Sequence, residues 1–205
     1  MNFYKKYILP WYLDFGMKKE VLQTERPGVI EHASGNVLEI GFGSGLNLPF
    51  YKNITKLYAV DPSLELYSLA KKEISKMSFP VEYNQVSAEQ LPFPDSFFDS
   101  VVSTWTLCSI PRPEFALKEI ARVLKPDGKF IFIEHGKSQK LVWRILQNVI
   151  TPFLKHFTGN CHLNRAIDEL INNNKLKVIK LEQFNEKYKP LFSTYKGIAV
   201  INTKN

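Results

Sequence analysis

Absences bound this chain first. Two cysteines in 205 residues, Cys108 and Cys161, are too few for a disulfide framework and lack C-x-x-C spacing. A reducing compartment follows as the simpler setting, and the cytoplasm is the expected location. No apolar run approaches the ~18 residues of a membrane span, and Lys5, Lys6, Pro10 and Asp14 interrupt the opening stretch, so neither a spanning helix nor an export signal is expected. Repeats and low-complexity tracts are missing. Cys108, Cys161, His135 and His162 could in principle assemble a metal site, but only Cys161 and His162 are adjacent and no spaced ligand pair exists, so none is expected. Arg-rich and glycine-aromatic RNA motifs are also missing. The formal net charge of +7 is concentrated late, since residues 137–205 hold 12 Lys/Arg against 4 Asp/Glu. That excess reads as a solvated basic face and not as a nucleic-acid site, leaving a transient contact with an anionic membrane surface as an open partner class.

What is present is ordinary globular content, 44% hydrophobic and 13% aromatic, enough for one α/β domain over residues 1–205. The chain is organised around Val37-Leu-Glu-Ile-Gly-Phe-Gly-Ser-Gly45. A buried strand runs there into three alternate glycines, the arrangement that lets a ligand approach the main chain at the end of a strand in an open sheet. The dinucleotide fingerprint fails, because Leu46 stands where its third glycine belongs. Glu39 suits a cationic ligand better than a pyrophosphate, and Asp61, after the apolar run Leu57 to Val60, is placed to accept from ribose hydroxyls. A nucleoside carrying positive charge results, which S-adenosyl-L-methionine fits; a purely structural strand-turn-helix is the rival reading.

Patterning predicts strands at 37–40, 57–60, 81–86, 100–104 and 130–133, then a hairpin pair at 176–181 and 195–201. Helices are expected at 46–51, from Pro62-Ser63 to about Met77, at 114–124 and at 166–172. Residues 1–26 read as one or two short helices separated at Pro10, and residues 138–163 as an insertion with a helix broken at Pro152. These two aromatic-rich segments are expected to pack on each other as a lid.

Five segments in order resemble the class I S-adenosylmethionine-dependent methyltransferases of the type 11 group: Val37 to Gly45, Tyr58-Ala-Val-Asp-Pro-Ser63, Ser87-Ala-Glu-Gln-Leu-Pro-Phe93, Ser96 to Val102 and Glu119 to Gly128. The resemblance implies a seven-stranded, mostly parallel Rossmann-like α/β sheet with a C-terminal antiparallel strand and helices on both faces. It implies S-adenosyl-L-methionine as cofactor, S-adenosyl-L-homocysteine as product, and a cofactor site built from Glu39, Gly41, Phe42, Gly43, Ser44, Gly45, Asn47, Asp61, Pro62, Ser63, Ser87, Ala88, Glu89, Thr104, Trp105 and Thr106. A narrower similarity, through Thr106-Leu-Cys-Ser-Ile110, Glu134-His135 and Gly159-Asn-Cys-His-Leu163, is to bacterial relatives of the methyltransferase-like protein 7 group, which are thiol S-methyltransferases.

The expected acceptor is therefore a small, apolar molecule, possessing a thiol in one reading, with a quinone ring or phospholipid head group as the alternative. A binding module without turnover is the non-enzyme alternative. Methyl transfer from a sulfonium needs a base only where the acceptor carries a proton, and His135, at the end of the fifth strand, is the candidate, against a plain wall histidine. Tyr4, Trp11, Tyr12, Cys108, Trp143 and His162 are expected around the acceptor. A monomer is the default.

Overall fold

The computed structural model describes residues 3–186 and 189–203. Seven strands form one sheet: β1 (Ser34–Ile40), β2 (Asn53–Val60), β3 (Val81–Asn84), β4 (Phe98–Thr104), β5 (Leu124–Gly136), β6 (Leu176–Glu186) and β7 (Lys189–Ile201). Their spatial order is β3-β2-β1-β4-β5-β7-β6. The first five run parallel, and β7 pairs antiparallel with both β5 and β6. The mostly parallel seven-stranded sheet read from the sequence is the one found. Because β1 and β4 are neighbours while the chain leaves them in opposite directions, their carboxyl ends flank a switch point, where an open sheet leaves a crevice.

Burial on both faces explains the unbroken apolar strands. Along β5, Phe130 and Phe132 join one core with Leu38, Ile40 and Val101, while Ile131 and Ile133 join the other with Val37, Leu57 and Val102. The helices are α1 (Leu9–Met17), α2 (Glu20–Glu25), α3 (Pro27–Ile30), α4 (Leu64–Ile74), α5 (Pro113–Val123), α6 (Leu141–Leu154) and α7 (Ile167–Asn172). Ser63 caps α4 by accepting from the Leu66 N–H at 3.2 Å. On α5, Ala116, Leu117, Ile120 and Val123 form the buried stripe.

Several local expectations are corrected. The helix at 46–51 is a single 3-10 turn, Leu48–Phe50. Pro10 lies in the first turn of α1, where a missing N–H costs nothing, directly after a π-helical turn, Tyr4–Ile8, so the segment divides next to Pro10 as expected. Pro152 is carried inside α6 near its end and does not break it. Both aromatic-rich segments contribute to the cavity wall and touch each other, Tyr4 Oη donating to the Phe157 carbonyl at 3.3 Å and Leu13 lying where a Gly159 side chain would stand. Much of the apolar surface expected between them faces outward instead: Trp11 is 65% exposed, Val142 73% and Phe153 71%. The reason lies in how α6 is anchored. Its buried residues are Gln147 and Thr151; Gln147 accepts from the Ser138 N–H and donates to the Gly136 and Leu191 carbonyls. A polar face holds the helix down and the apolar face turns outward. Among the described residues no helix is long and apolar enough to cross a membrane.

Candidate active site

A cavity of about 600 Å³ opens at the carboxyl ends of β1 and β4. Glu39, Gly41, Phe42, Gly43 and Ser44 form its floor. Gly41 and Gly43 have φ of +67° and +56°, angles that L side chains rarely adopt. A Cβ on Gly41 would collide with the Thr106 side chain, whereas one on Gly43 would meet no protein atom closer than 3.9 Å. That free space belongs to the cavity. Gly45 turns away and packs under the loop, where a Cβ would press on Leu48 and Ala70.

Asp61, just beyond β2, accepts from the Gly43 N–H at 2.9 Å and the Ser63 N–H at 2.8 Å, so one carboxylate ties the glycine loop to the start of α4. Burial pushes this carboxyl up, and the two backbone donors oppose the shift. Pro62, Ser63, Ser87 and Ala88 continue the wall. Glu89 does not reach it, because Arg112 holds its carboxylate in an ion pair at 2.7 Å. On the other side stand Thr104, Trp105 and Thr106. Trp105 has a φ of +50°, unusual for an aromatic residue, and its buried Nε1 finds no hydrogen-bond partner among the described residues.

Beneath the floor lies a polar knot that sequence reasoning found only in part. Glu39 is fully buried and accepts from Asn47 Nδ2 at 2.9 Å and Tyr51 Oη at 2.7 Å. Asn47 itself lies behind the wall, bridging Glu39, Thr104 and Arg26. Arg26, absent from the sequence reading, is 3% exposed, lines the cavity and stacks its guanidinium 4.8 Å from the Trp105 ring centre. Burial brings Arg26 down to about 10, with Glu39 and Tyr51 opposing. Burial likewise lifts Glu39 to about 7, against the Tyr51 and Asn47 hydrogen bonds and the Arg26 charge. An Arg-Pro pair before a short helix was the sole sequence signal for Arg26.

The far wall carries the acceptor-side groups. His135, at the end of β5, is buried and lines the cavity, with the Phe192 ring 5.2 Å from its own. Cys161 lines it too, its Sγ 3.7 Å from His135 Nδ1 and 3.5 Å from Cys108 Sγ. Cys108 is buried behind them, its thiol pushed well up by the Cys161 hydrogen bond and by burial. Tyr12 lines the cavity, together with Leu13 and Met17 of α1. Tyr4, Trp11, Trp143 and His162 do not. Trp11 stacks outward on Phe15, Trp143 rides on α6, and His162 contributes its backbone N–H to the Cys108 carbonyl at 2.8 Å. The cavity residue in that insertion is the preceding one, Cys161. Glu134, fully buried, accepts from Ser103 Oγ and from the N–H groups of Thr106, Leu107 and Cys108, which pins the loop after β4.

Comparison with known proteins fits this geometry. Residues 38–132 match the family model described as a methyltransferase domain. The human thiol S-methyltransferase TMT1B is 30% identical over 173 residues, covering 81% of this chain and 70% of that protein. The chain belongs to the S-adenosyl-L-methionine-dependent methyltransferases. Its cofactor is therefore S-adenosyl-L-methionine. A phosphatidylethanolamine N-methyltransferase of Cereibacter sphaeroides is 28% identical over 179 residues, covering 86% of this methyltransferase and 87% of the relative. In solved structures, the methyltransferase in complex with the Haloferax volcanii Trm112 activator superposes with a TM-score of 0.73 at 17% identity, covering 95% of this chain and 97% of that one, a likeness of fold.

Proposed function

We propose that this methyltransferase methylates a small apolar acceptor at sulfur, with the acceptor held between α1, Trp105 and His135. The observation that carries this reading is the division of the cavity. Its floor is polar and charged (Arg26, Glu39, Asp61), while its outer wall is mostly apolar (Leu13, Met17, Ile110, Leu163, Phe192), with Asp14, Lys19, Ser109 and Thr158 as its polar members, around the imidazole of His135. Similarity to a thiol S-methyltransferase supports sulfur as the accepting atom.

The residues present fit the cofactor. The space a Gly43 side chain would fill is open, the Asp61 carboxylate is oriented by two backbone donors, and Arg26 Nε is buried with no hydrogen-bond partner among the described residues. When bound, S-adenosyl-L-methionine supplies a methyl group already activated on a sulfonium. Asp61 would accept from the ribose hydroxyls, Ser87 and Ala88 would edge the adenine, Arg26 would face the carboxylate, and Glu39 the ammonium. Trp105 and the α1 residues would exclude water and hold the acceptor in line, where positioning supplies most of the acceleration. His135, the imidazole on that wall, would stand next to the accepting sulfur.

A bilayer as the source of acceptor is favoured by a separate observation. Phe3, Tyr7, Trp11 and Phe15 recur at helical spacing and are exposed, as are Leu141, Val142, Ile145, Val149 and Phe153 of α6. Outward apolar faces of this size, beside a basic C-terminal third, suit an interfacial helix on an anionic surface. The α1 helix also forms cavity wall, so an acceptor dissolved in lipid reaches the site past it. Labelled-cofactor turnover on alkanethiol, quinone and phosphatidylethanolamine, with and without anionic vesicles, tests both parts. Methylated thiol is expected, faster with vesicles. Label appearing only in the quinone or the amine refutes sulfur transfer, and failure to co-sediment with anionic vesicles refutes the membrane contact.

A further inference from the structure

Three groups of metal-ligating chemistry, far apart in the chain, meet at one wall of the cavity. Cys108 comes from the loop after β4, His135 from the end of β5 and Cys161 from the insertion; their ligand atoms all lie within 4.8 Å of one another and all three residues are buried. We propose that Cys108, His135 and Cys161 bind one soft divalent cation of the zinc type, which takes the acceptor's thiol sulfur as its fourth ligand. This rests on the thiol reading given above.

Distances fit the assignment. Tetrahedral coordination with metal–sulfur near 2.3 Å and metal–nitrogen near 2.0 Å separates two sulfurs by about 3.8 Å and a sulfur from a nitrogen by about 3.5 Å. The observed separations are 3.5 Å for Cys108 Sγ to Cys161 Sγ and 3.7 Å for Cys161 Sγ to His135 Nδ1. For these two pairs an ion enters with adjustments of a few tenths of an ångström, and the third pair, Cys108 Sγ to the His135 ring nitrogen, lies within 4.8 Å and closes the triangle by a turn of the side chains. Three protein ligands with an open position is also the arrangement of reactive zinc sites, in contrast to closed structural ones. The open side is the cavity, since Cys161 and His135 line it and Cys108 does not.

The surroundings hold the set in place. Asn160 Nδ2 donates to the Ser109 carbonyl at 2.8 Å and the His162 N–H to the Cys108 carbonyl at 2.8 Å, clamping the insertion onto the loop that carries the first cysteine. Glu134 receives the Cys108 N–H at 3.0 Å. The charged neighbours are Glu134 and Arg165, whose guanidinium donates to the Leu107 carbonyl. Two thiolates, one neutral imidazole and a divalent ion sum to zero, and the flanking anion and cation offset each other. Such outer contacts orient ligands and tune a bound metal.

The chemistry balances without any further reagent. Coordination lets the acceptor lose its thiol proton to solvent near neutral pH. The sulfur lone pair then forms the new carbon–sulfur bond as the methyl–sulfonium bond breaks, giving a thioether and S-adenosyl-L-homocysteine. His135 serves here as a ligand and not as a free base.

Cobalt(II) titration of the full chain, stripped of metal and kept reduced with a phosphine, tests the site with no methyl donor present. Expected are one equivalent bound, thiolate-to-cobalt charge-transfer absorption in the near ultraviolet, strong visible bands of four-coordinate cobalt, displacement by zinc, and a spectral change when an alkanethiol is added. Cys108→Ser and Cys161→Ser should each remove the charge-transfer band or halve it, while calorimetry finds S-adenosyl-L-homocysteine affinity within about threefold of the parent, which shows the variants folded. Weak octahedral cobalt bands only, bands indifferent to both substitutions, or a four-coordinate spectrum that ignores the thiol would each overturn the proposal. Failure of the thiol-transfer reading shows separately, as absence of methylated thiol in the turnover assay.

Discussion

Glu39 offers the sharpest test of the cofactor floor, because its protonation must change when a cation arrives. The carboxylate is buried, bonded by Asn47 and Tyr51, with Arg26 attracting and Asp61 repelling its negative charge. Burial lifts it to about 7. Below that pH the free protein holds Glu39 neutral, and a ligand ammonium can pair with it only after the proton is lost. Affinity therefore rises with pH through this window. With a midpoint of 7, the ionised fraction changes about 25-fold between pH 5.5 and 7.5, so the dissociation constant of S-adenosyl-L-homocysteine should fall by roughly that factor. At alkaline pH, once the ligand's own amino group loses its proton, affinity declines again. Glu39→Gln should erase the rising limb and keep the falling one. The same group also acts on stability with the opposite sense. Its folded value is raised, so its contribution is fully present below about pH 4 and is lost as pH climbs through 7, by about 3 kcal/mol in all. Calorimetry in two buffers of different ionisation enthalpy reads both the affinity and the proton released on binding. A flat affinity between pH 5.5 and 7.5, with no proton release, would refute the argument.

Asp61→Ala removes a buried acceptor and leaves the Gly43 and Ser63 N–H groups unpaired, so cofactor affinity should fall by about 2 kcal/mol, or roughly thirtyfold; a change under threefold by calorimetry would refute the ribose assignment. Arg26→Met strips Glu39 of its attracting charge and frees Asn47 Oδ1. The rising limb of affinity should then move to higher pH, with at least a tenfold loss of affinity at pH 7. A limb that stays in place would detach Arg26 from this site.

How much of this was legible depends on the separation of the cooperating residues. The glycine loop, Glu39, Asp61 and the succession of strands along the chain lie in local patterns, a buried strand running into a turn and apolar runs alternating with helical stripes, and local patterns are what sequence displays, whereas the sheet itself comes from the family resemblance. The Cys108–Cys161 contact spans 53 residues and the Cys161–His135 contact 26. No ligand spacing announces that set, because the three segments are joined by the sheet and not by a turn. Arg26 escaped for a similar reason. It sits in a stretch without clear periodicity and works only once the fold places it under Trp105.

The α6 helix shows the other limit. The sequence predicts a helix broken at Pro152 here; the helix runs on to Leu154, and the exposed Leu141, Ile145, Leu146, Val149 and Phe153 give it one apolar face. Periodicity says that a face exists but not what it meets. Here the buried side chains are Gln147 and Thr151, with Leu154 packing on the cluster of Cys108, Cys161 and Leu163, and the Gln147 side chain satisfies three backbone groups at the end of β5 and near the start of β7. Three directed hydrogen bonds fix that orientation, since turning the helix over would bury the apolar face but strand the Gly136 and Leu191 carbonyls and the Ser138 N–H, at a cost of about 1–3 kcal/mol for each group left buried without a partner. Leaving several large side chains in water carries a comparable penalty at roughly 25 cal/mol per Å² of apolar surface. A surface that covers the exposed face while leaving the polar anchor intact removes the second cost without incurring the first, which is what the lipid interface proposed above would do.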